Sequence, residues 1–208
     1  MKIFYDTEFI EDGETIDLIS IGMVREDGEE LYKIYSPHMP PMSKSETTVG
    51  RAVTHPWLRE NVIPGLPVKL SATHVTAWSW DQNHPDWDNV ETNDARFRQQ
   101  VLYFITEPIK EGQQPELWAW YAAYDHVALC QLWGPMIDLP PGIPIWTNDL
   151  KQEAHRLDNP PLPELPGKQE HHALWDAREL QMRYEWIRAY ENHCDGKTLD
   201  AIVEQYTR

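Results

Sequence analysis

The sequence predicts a mixed α/β fold in a single domain of 208 residues. Three short apolar runs near the N-terminus are separated by turn signals, which is typical of an antiparallel meander. After them, helical patterns alternate with a further apolar strand. Together these observations predict a mixed central sheet with an antiparallel N-terminal meander, flanked by helices.

The N-terminal meander has three predicted strands. Residues 2–9 have the pattern of a buried strand, and strands are also predicted over 17–24 and 30–35. Asp-Gly dipeptides occupy positions 12–13 and 27–28, between these strands. Because Gly and Asp tolerate the backbone conformations of tight turns, consecutive strands are expected to pair antiparallel.

Helical periodicity marks much of the remaining chain. A helix is predicted over 93–107, with Asn93 or Thr92 as its N-cap. The other predicted elements are a short helix over 56–61, a strand over 116–122, and helices over 125–133, 147–157 (capped by Thr147) and 169–192. Apart from the short helix, residues 36–92 form a long segment without clear hydrophobic periodicity. This segment is expected to be an irregular insertion around the core.

Charge and composition limit the possible functions. The formal net charge of −16 argues against a protein that coats long nucleic acid through a broad basic surface. It still allows an enzyme that binds a strand end, because bound metal ions would invert the local field. No long apolar run or signal peptide is expected, and the two cysteines lack metal or disulfide spacing. A cytoplasmic protein with free thiols and no membrane association is therefore predicted.

Ten tryptophans are many for a chain of this length. Trp118 and Trp120 alternate along a predicted strand, which favours packing. Trp78, Trp80 and Trp87 cluster in the polar insertion. This cluster fits either a stacking platform for bases or the packing of a long loop.

Two carboxylates lie on the first predicted strand. Asp6 and Glu8 are two residues apart, so their side chains are expected to share one face with Phe4. Adjacent carboxylates are costly to bury without a cation, and their hard oxygen atoms suit Mg²⁺ or Mn²⁺. In a chain this rich in acids, the pair alone favours the alternative of two solvated acids at a strand end.

Further acids lie at the junctions of predicted elements. Asp125 marks the passage from a strand into a helix, where it fits either a site residue or a plain N-cap. Asp176 lies near the start of the last predicted helix, and its partner is either a metal ion or one of Arg178 and Arg183. His171 lies five residues before Asp176, and on an ideal helix the two side chains would point roughly 140° apart around the axis. The two converge only if His171 lies in the preceding loop or first turn.

In this order, the residues resemble the DEDDh family of 3′-to-5′ exonucleases, which has a ribonuclease H-like fold. The five positions of that family are matched by Asp6, Glu8, Asp125, His171 and Asp176.

A narrower resemblance is carried by longer runs. Residues 5–13, 18–22, 117–120 and 123–136 are similar to the polyadenylate-specific 3′-exoribonucleases AS of actinobacteria. With 171–178, these runs cover about a fifth of the chain. The insertion differs from the pattern expected for that group, since it is longer and richer in tryptophan.

The resemblance implies a two-metal phosphodiester hydrolase. Asp6 would bridge two Mg²⁺ or Mn²⁺ ions, Glu8 and Asp176 would complete one site, and Asp125 would hold the second ion through water. His171 would be the general base, since its ordinary pKa near 6.5 suits proton transfer at neutral pH.

The same resemblance implies a substrate and an assembly. The substrate would be the 3′ end of single-stranded RNA, including adenylate-rich ends, and the products would be nucleoside 5′-monophosphates. Backbone groups from Thr7 to Phe9 would approach the terminal nucleotide. Phe9 would stack or wedge against its base, with core packing as the alternative. The resemblance also implies a homodimer.

Rival functions remain. A DNA exonuclease or a scavenger of short oligonucleotides would use the same five residues, because these act on phosphate and water rather than on the sugar. A non-catalytic binding module is less consistent with the complete residue set. A nucleic-acid mimic is also disfavoured, because the acids are spread along the chain rather than concentrated in a block.

Overall fold

A computed structural model describes residues 1–37, 46–74, 76–193 and 196–206. Of the two cysteines predicted to be free, Cys130 is a free thiol, whereas Cys194 lies outside the described residues. No helix in the described ranges has the length and apolar character needed to cross a bilayer.

A mixed sheet forms the centre of the molecule. The strands are β1 (Lys2–Glu11), β2 (Ile16–Arg25), β3 (Glu30–Tyr35), β4 (Val68–Leu70), β5 (Trp78–Trp80), β6 (Val90–Glu91), β7 (Glu116–Ala119) and β8 (Asn148–Asp149). In the described part of the chain, six of them form one sheet in the order β6-β3-β2-β1-β7-β8. The β1–β2 and β2–β3 pairs are antiparallel, which confirms the meander. The β3–β6, β1–β7 and β7–β8 pairs are parallel.

Helices cover both faces of this sheet. They are α1 (Thr48–Thr54), α2 (Pro56–Asn61), α3 (Asp94–Thr106), α4 (Ala123–Cys130), α5 (Leu150–Arg156), α6 (Ala173–Glu191) and α7 (Gly196–Tyr206). On one face, Ile3 and Tyr5 of β1 pack with apolar residues of α3 and α4. On the other, Phe4 packs with Leu180 and Trp186 of α6. The predicted mixed α/β fold is therefore correct at the level of its sheet and its flanking helices.

Several predicted element boundaries are wrong. Strand β7 ends at Ala119 and α4 begins at Ala123, so Asp125 lies inside the first helical turn and is not the N-cap. Thr147 does not cap α5, because the Asp149 side chain accepts the Lys151 N–H at 2.8 Å and fulfils that role.

The last two helices also differ from expectation. The predicted helix over 169–192 begins only at Ala173, since His171 has a backbone φ of 55° that interrupts the helical path. Helix α7 was not predicted at all.

The insertion is more regular than predicted. Residues 46–92 contain α1, α2, β6 and the antiparallel β4–β5 pair, of which only α2 was expected, while 38–45 lie outside the described residues. Trp78 and Trp80 meet edge to face with ring centroids 4.9 Å apart, and both pack on an apolar cluster beneath the sheet. The ring centroid of Trp87 lies 6.0 Å from that of Trp80. This geometry favours the packing interpretation of the tryptophan cluster.

Candidate active site

Three carboxylates meet beside strand β1. Asp6 and Glu8 share a face of the strand, as their spacing predicted, and α6 brings Asp176 to them. One oxygen atom of each carboxylate lies within 4.8 Å of the other two. This distance is short enough for a single cation to contact all three side chains.

Gly22 allows α6 to approach the sheet this closely. It lies on β2 directly opposite Asp6 in the antiparallel register. A Cβ atom at Gly22 would lie 2.2 Å from the backbone carbonyl carbon of Ala173, the first residue of α6. Only a residue without a side chain permits this contact, so Gly22 sets the distance between Asp6 and Asp176.

Burial and mutual repulsion dominate the electrostatics of the pair on β1. Burial, followed by the nearby carboxylates of Asp125, Glu8 and Asp176, raises the pKa of Asp6 well above its ordinary value. Burial and the same kind of repulsion raise the pKa of Glu8 to about 8. Neither side chain accepts a hydrogen bond or ion pair from the described residues. The charge of Lys168 opposes this pKa shift for Asp6 without forming an ion pair with it, so the described residues compensate the two carboxylates only incompletely.

Asp176 has a different environment. Its Oδ1 accepts a hydrogen bond from Lys168 Nζ at 3.0 Å, and its Oδ2 accepts one from the His172 backbone N–H at 3.1 Å. The Asp176 N–H in turn donates to the carbonyl oxygen of His172. This reciprocal pair caps the start of α6 and fixes the direction of the carboxylate. Neither Arg178 nor Arg183, the predicted alternative partners, contacts it: Arg178 pairs with Glu30, and Arg183 with Glu179.

Asp125 lies close to this group but is held by Thr7. Its Oδ1 accepts both the Thr7 backbone N–H at 2.9 Å and the Thr7 hydroxyl at 2.6 Å. Burial raises the pKa of Asp125 to about 6, although the two Thr7 donors oppose that shift. Asp125 is not among the three acids whose oxygen atoms cluster within 4.8 Å. The donors of Thr7, which was predicted to contact nucleotide, thus position Asp125.

His171 and Asp176 line the same open cleft of about 450 Å³. The positive φ of His171 places this residue in the loop before α6, which is the condition under which the two could converge. Trp57 of α2 meets the His171 ring edge to face at 4.9 Å. Phe9 also lines the cleft and stacks on the exposed ring of Tyr124, with centroids 6.0 Å apart.

The described lining of the cleft contains residues that the sequence interpretation missed. They are Trp57, Lys168 and Glu170. Trp57 was placed correctly on a short helix, but nothing in the sequence indicated which helix face would meet the cleft. Lys168 follows a proline-rich loop whose path depends on tertiary packing. The sequence signal that could have drawn attention to Lys168 is the scarcity of basic residues, since the chain has 18 basic against 34 acidic residues.

The donor set suits a hard divalent cation. Three carboxylates offer only oxygen ligands, and Mg²⁺ and Mn²⁺ prefer oxygen. Two of these acids lack any donor from the described residues. The residues present therefore fit such an ion.

The side chains of the cleft suit a hydrolase that acts on phosphate esters. Clustered carboxylates can hold the ions that assist phosphate ester hydrolysis, and a histidine in the same cleft can transfer the proton of a water molecule.

Comparison with known proteins identifies the family. Residues 1–187 match the model of the Rv2179c-like 3′-5′ exoribonuclease domain, so the chain belongs to the Rv2179c-like 3′-5′ exoribonuclease family. It is 40% identical over 194 residues to the 3′-5′ exoribonuclease Rv2179c of Mycobacterium tuberculosis strain ATCC 25618 / H37Rv. The 3′-5′ exoribonuclease MT2234.1 of strain CDC 1551 / Oshkosh has the same identity. Each alignment covers 92% of this chain and 96% of the relative. The predicted reaction and direction, 3′-to-5′ exoribonuclease activity, are thereby confirmed.

Proposed function

We propose that the protein removes nucleoside 5′-monophosphates from the 3′ end of single-stranded RNA with two divalent metal ions, on a ribonuclease H-like fold of the DEDDh type. The observation that carries this proposal is the convergence of Asp6, Glu8 and Asp176 within 4.8 Å, in a cleft that also contains His171. The closer kinship to the polyadenylate-specific enzymes of actinobacteria is part of the same proposal.

The acids would divide the metal ligation between them. Asp6 would be shared by both Mg²⁺ or Mn²⁺ ions, Glu8 and Asp176 would complete one site, and Asp125 would hold the other through water. When bound, such ions neutralise charge on the phosphate and increase the acidity of water. The hydrogen bonds from Thr7 keep Asp125 fixed against β1, so this acid would need little rearrangement to act.

His171 would accept the proton of the attacking water. It lines the cleft next to the acids, and its ring is held on one side by Trp57. Histidine side chains are the commonest general bases in such proton transfers. Thr7 would lie against the terminal nucleotide from the wall of the cleft while its two donors stay on Asp125, and Phe9, already stacked on Tyr124, would present its ring to the terminal base.

The substrate class includes RNA because the named relatives are exoribonucleases. A DNA exonuclease or a short-oligonucleotide scavenger remains the rival. Discrimination between them requires a contact to the 2′-hydroxyl group, which none of the five residues supplies by itself. An adenylate preference, a cytoplasmic location and a homodimeric state complete the proposal.

A substrate panel tests the proposal. Labelled poly(A), other RNA homopolymers, RNA dinucleotides and single-stranded DNA are incubated with Mg²⁺, with Mn²⁺ or with EDTA. We expect metal-dependent release of 5′-mononucleotides from the 3′ ends of RNA, fastest from poly(A). Equal rates on DNA would support the rival, and undiminished activity in EDTA would remove the metal mechanism.

A further inference from the structure

Lys168 brings a positive charge into the carboxylate group. Its Nζ lies 3.0 Å from Asp176 Oδ1 and 3.1 Å from Glu179 Oε1. Among the described residues that line the cleft around His171, it is the one lysine or arginine. A lysine at this position is unusual, because the other charged residues that line the cleft are mostly acids and the whole chain has a net charge of −16.

Glu179 is satisfied without this lysine. The carboxylate accepts Arg183 at 2.6 Å and the Leu165 backbone N–H at 3.0 Å. Asp176 has no second cation among the described residues. The ammonium group therefore matters chiefly to Asp176, one of the three clustered acids.

A lysine in this position and a divalent ion compete. Both need the carboxylate of Asp176, and two cations close together repel each other. Any group that favours the metal-free state lowers metal affinity by the same free energy, as thermodynamic linkage requires. Lys168 is well suited to exchange, since it is about a fifth exposed and lies on a loop rather than on a helix or strand.

We propose that Lys168 is an intrinsic counter-ion of the metal site: it holds Asp176 when no metal is bound and releases it when a divalent ion binds. The inference rests on the proposed metal-dependent function. Lys168 is a positioning residue in this scheme, because it acts through Asp176. It limits repulsion among the acids in the metal-free protein and thereby weakens metal binding.

Metal binding itself is the test. Free Mn²⁺ is measured by electron paramagnetic resonance during titration of the parent, Lys168→Met and Lys168→Arg. Lys69→Met is the matched control, since Lys69 is exposed and pairs with Asp81 on the separate hairpin. We expect Lys168→Met to bind Mn²⁺ about tenfold more tightly than the parent. Lys168→Arg, which keeps the charge, and Lys69→Met should bind as the parent does.

Thermal melting supplies a second readout. In EDTA, Lys168→Met should melt below the parent, and saturating Mn²⁺ should reduce that difference. Lys168→Gln provides a second neutral variant if the methionine variant folds poorly. One outcome would overturn this inference and leave the metal site in place. In that outcome the parent binds Mn²⁺, and both neutral variants bind it equally well or more weakly. Failure of every variant to bind Mn²⁺ would overturn the metal site as well.

Discussion

Two buried glutamates on facing elements have opposite surroundings. Glu179 on α6 is 2% exposed and accepts donors from Arg183, Lys168 and the Leu165 backbone. Glu8 on β1 is 8% exposed and accepts none from the described residues. The carboxylate of Glu179 thus has a full set of donors, whereas that of Glu8 has none from the described residues and lies beside other acids.

This difference is the one expected between an acid that stabilises the fold and an acid that binds a ligand. Buried carboxylates that lack partners raise the free energy of the folded protein. Such a cost persists where binding or chemistry requires it, and active sites are the usual place. The isolation of Glu8 and Asp6 supports their proposed role as metal ligands, whereas Glu179 anchors the loop before α6.

The largest effect is expected from Asp6→Asn. Loss of this ligand should lower the rate of mononucleotide release on the order of 10³-fold, because charge neutralisation at the phosphate is lost. The same change should stabilise the metal-free protein by roughly 1 kcal/mol, since it removes a carboxyl group whose ionisation the folded protein disfavours. Rate assays on labelled RNA and urea unfolding in EDTA measure the two effects.

Asp138→Asn is the matched control for this change, because Asp138 is exposed and does not line the cleft. A fully active Asp6→Asn enzyme would show that the isolated acids are not catalytic.

His171→Ala should slow turnover while sparing Mn²⁺ binding, which separates proton transfer from metal ligation.

Glu179→Gln tests the compensated side of the comparison. It leaves Arg183 without its ionised partner and takes from Lys168 one of its two carboxylates, in a mostly buried setting, so we expect a loss of about 2–3 kcal/mol in the free energy of unfolding. Urea denaturation at neutral pH provides the measurement. Glu8→Gln is the control and should leave stability unchanged or raise it. If both variants lose equally, the two environments do not differ in the way described.

The smallest effect is expected from pH. In the folded protein the pKa of Glu8 is about 8, against an ordinary value of 4.5. Between these values the folded state retains a proton that the unfolded chain has released, so stability falls as pH rises. Asp125, with a pKa of about 6 against 3.8, acts in the same direction at lower pH. We expect metal-free stability to fall by on the order of 2 kcal/mol between pH 5 and pH 8.

Urea unfolding in EDTA across that range measures this slope, and Glu8→Gln should flatten it. A stability that rises with pH would mean that Glu8 is compensated after all.

The sequence was sufficient for the local parts of this arrangement. Alternation along β1 predicted that Asp6 and Glu8 share a face, and turn chemistry predicted the meander. It did not predict that Lys168 reaches Asp176, because loop paths are set by tertiary packing. The start of α6 was also misplaced, since a non-glycine residue with positive φ, here His171, leaves no clear sequence signal.

The contact between Thr7 and Asp125 joins residues 118 positions apart. Together with the passage of α6 over Gly22, it means that no local segment of the chain can assemble the acids by itself. Contacts of such long sequence separation form only when distant segments have come together. Under the proposed function, hydrolytic capacity is therefore tied to completed folding, and a partly folded chain exposes its carboxylates to solvent without bringing them together into a site.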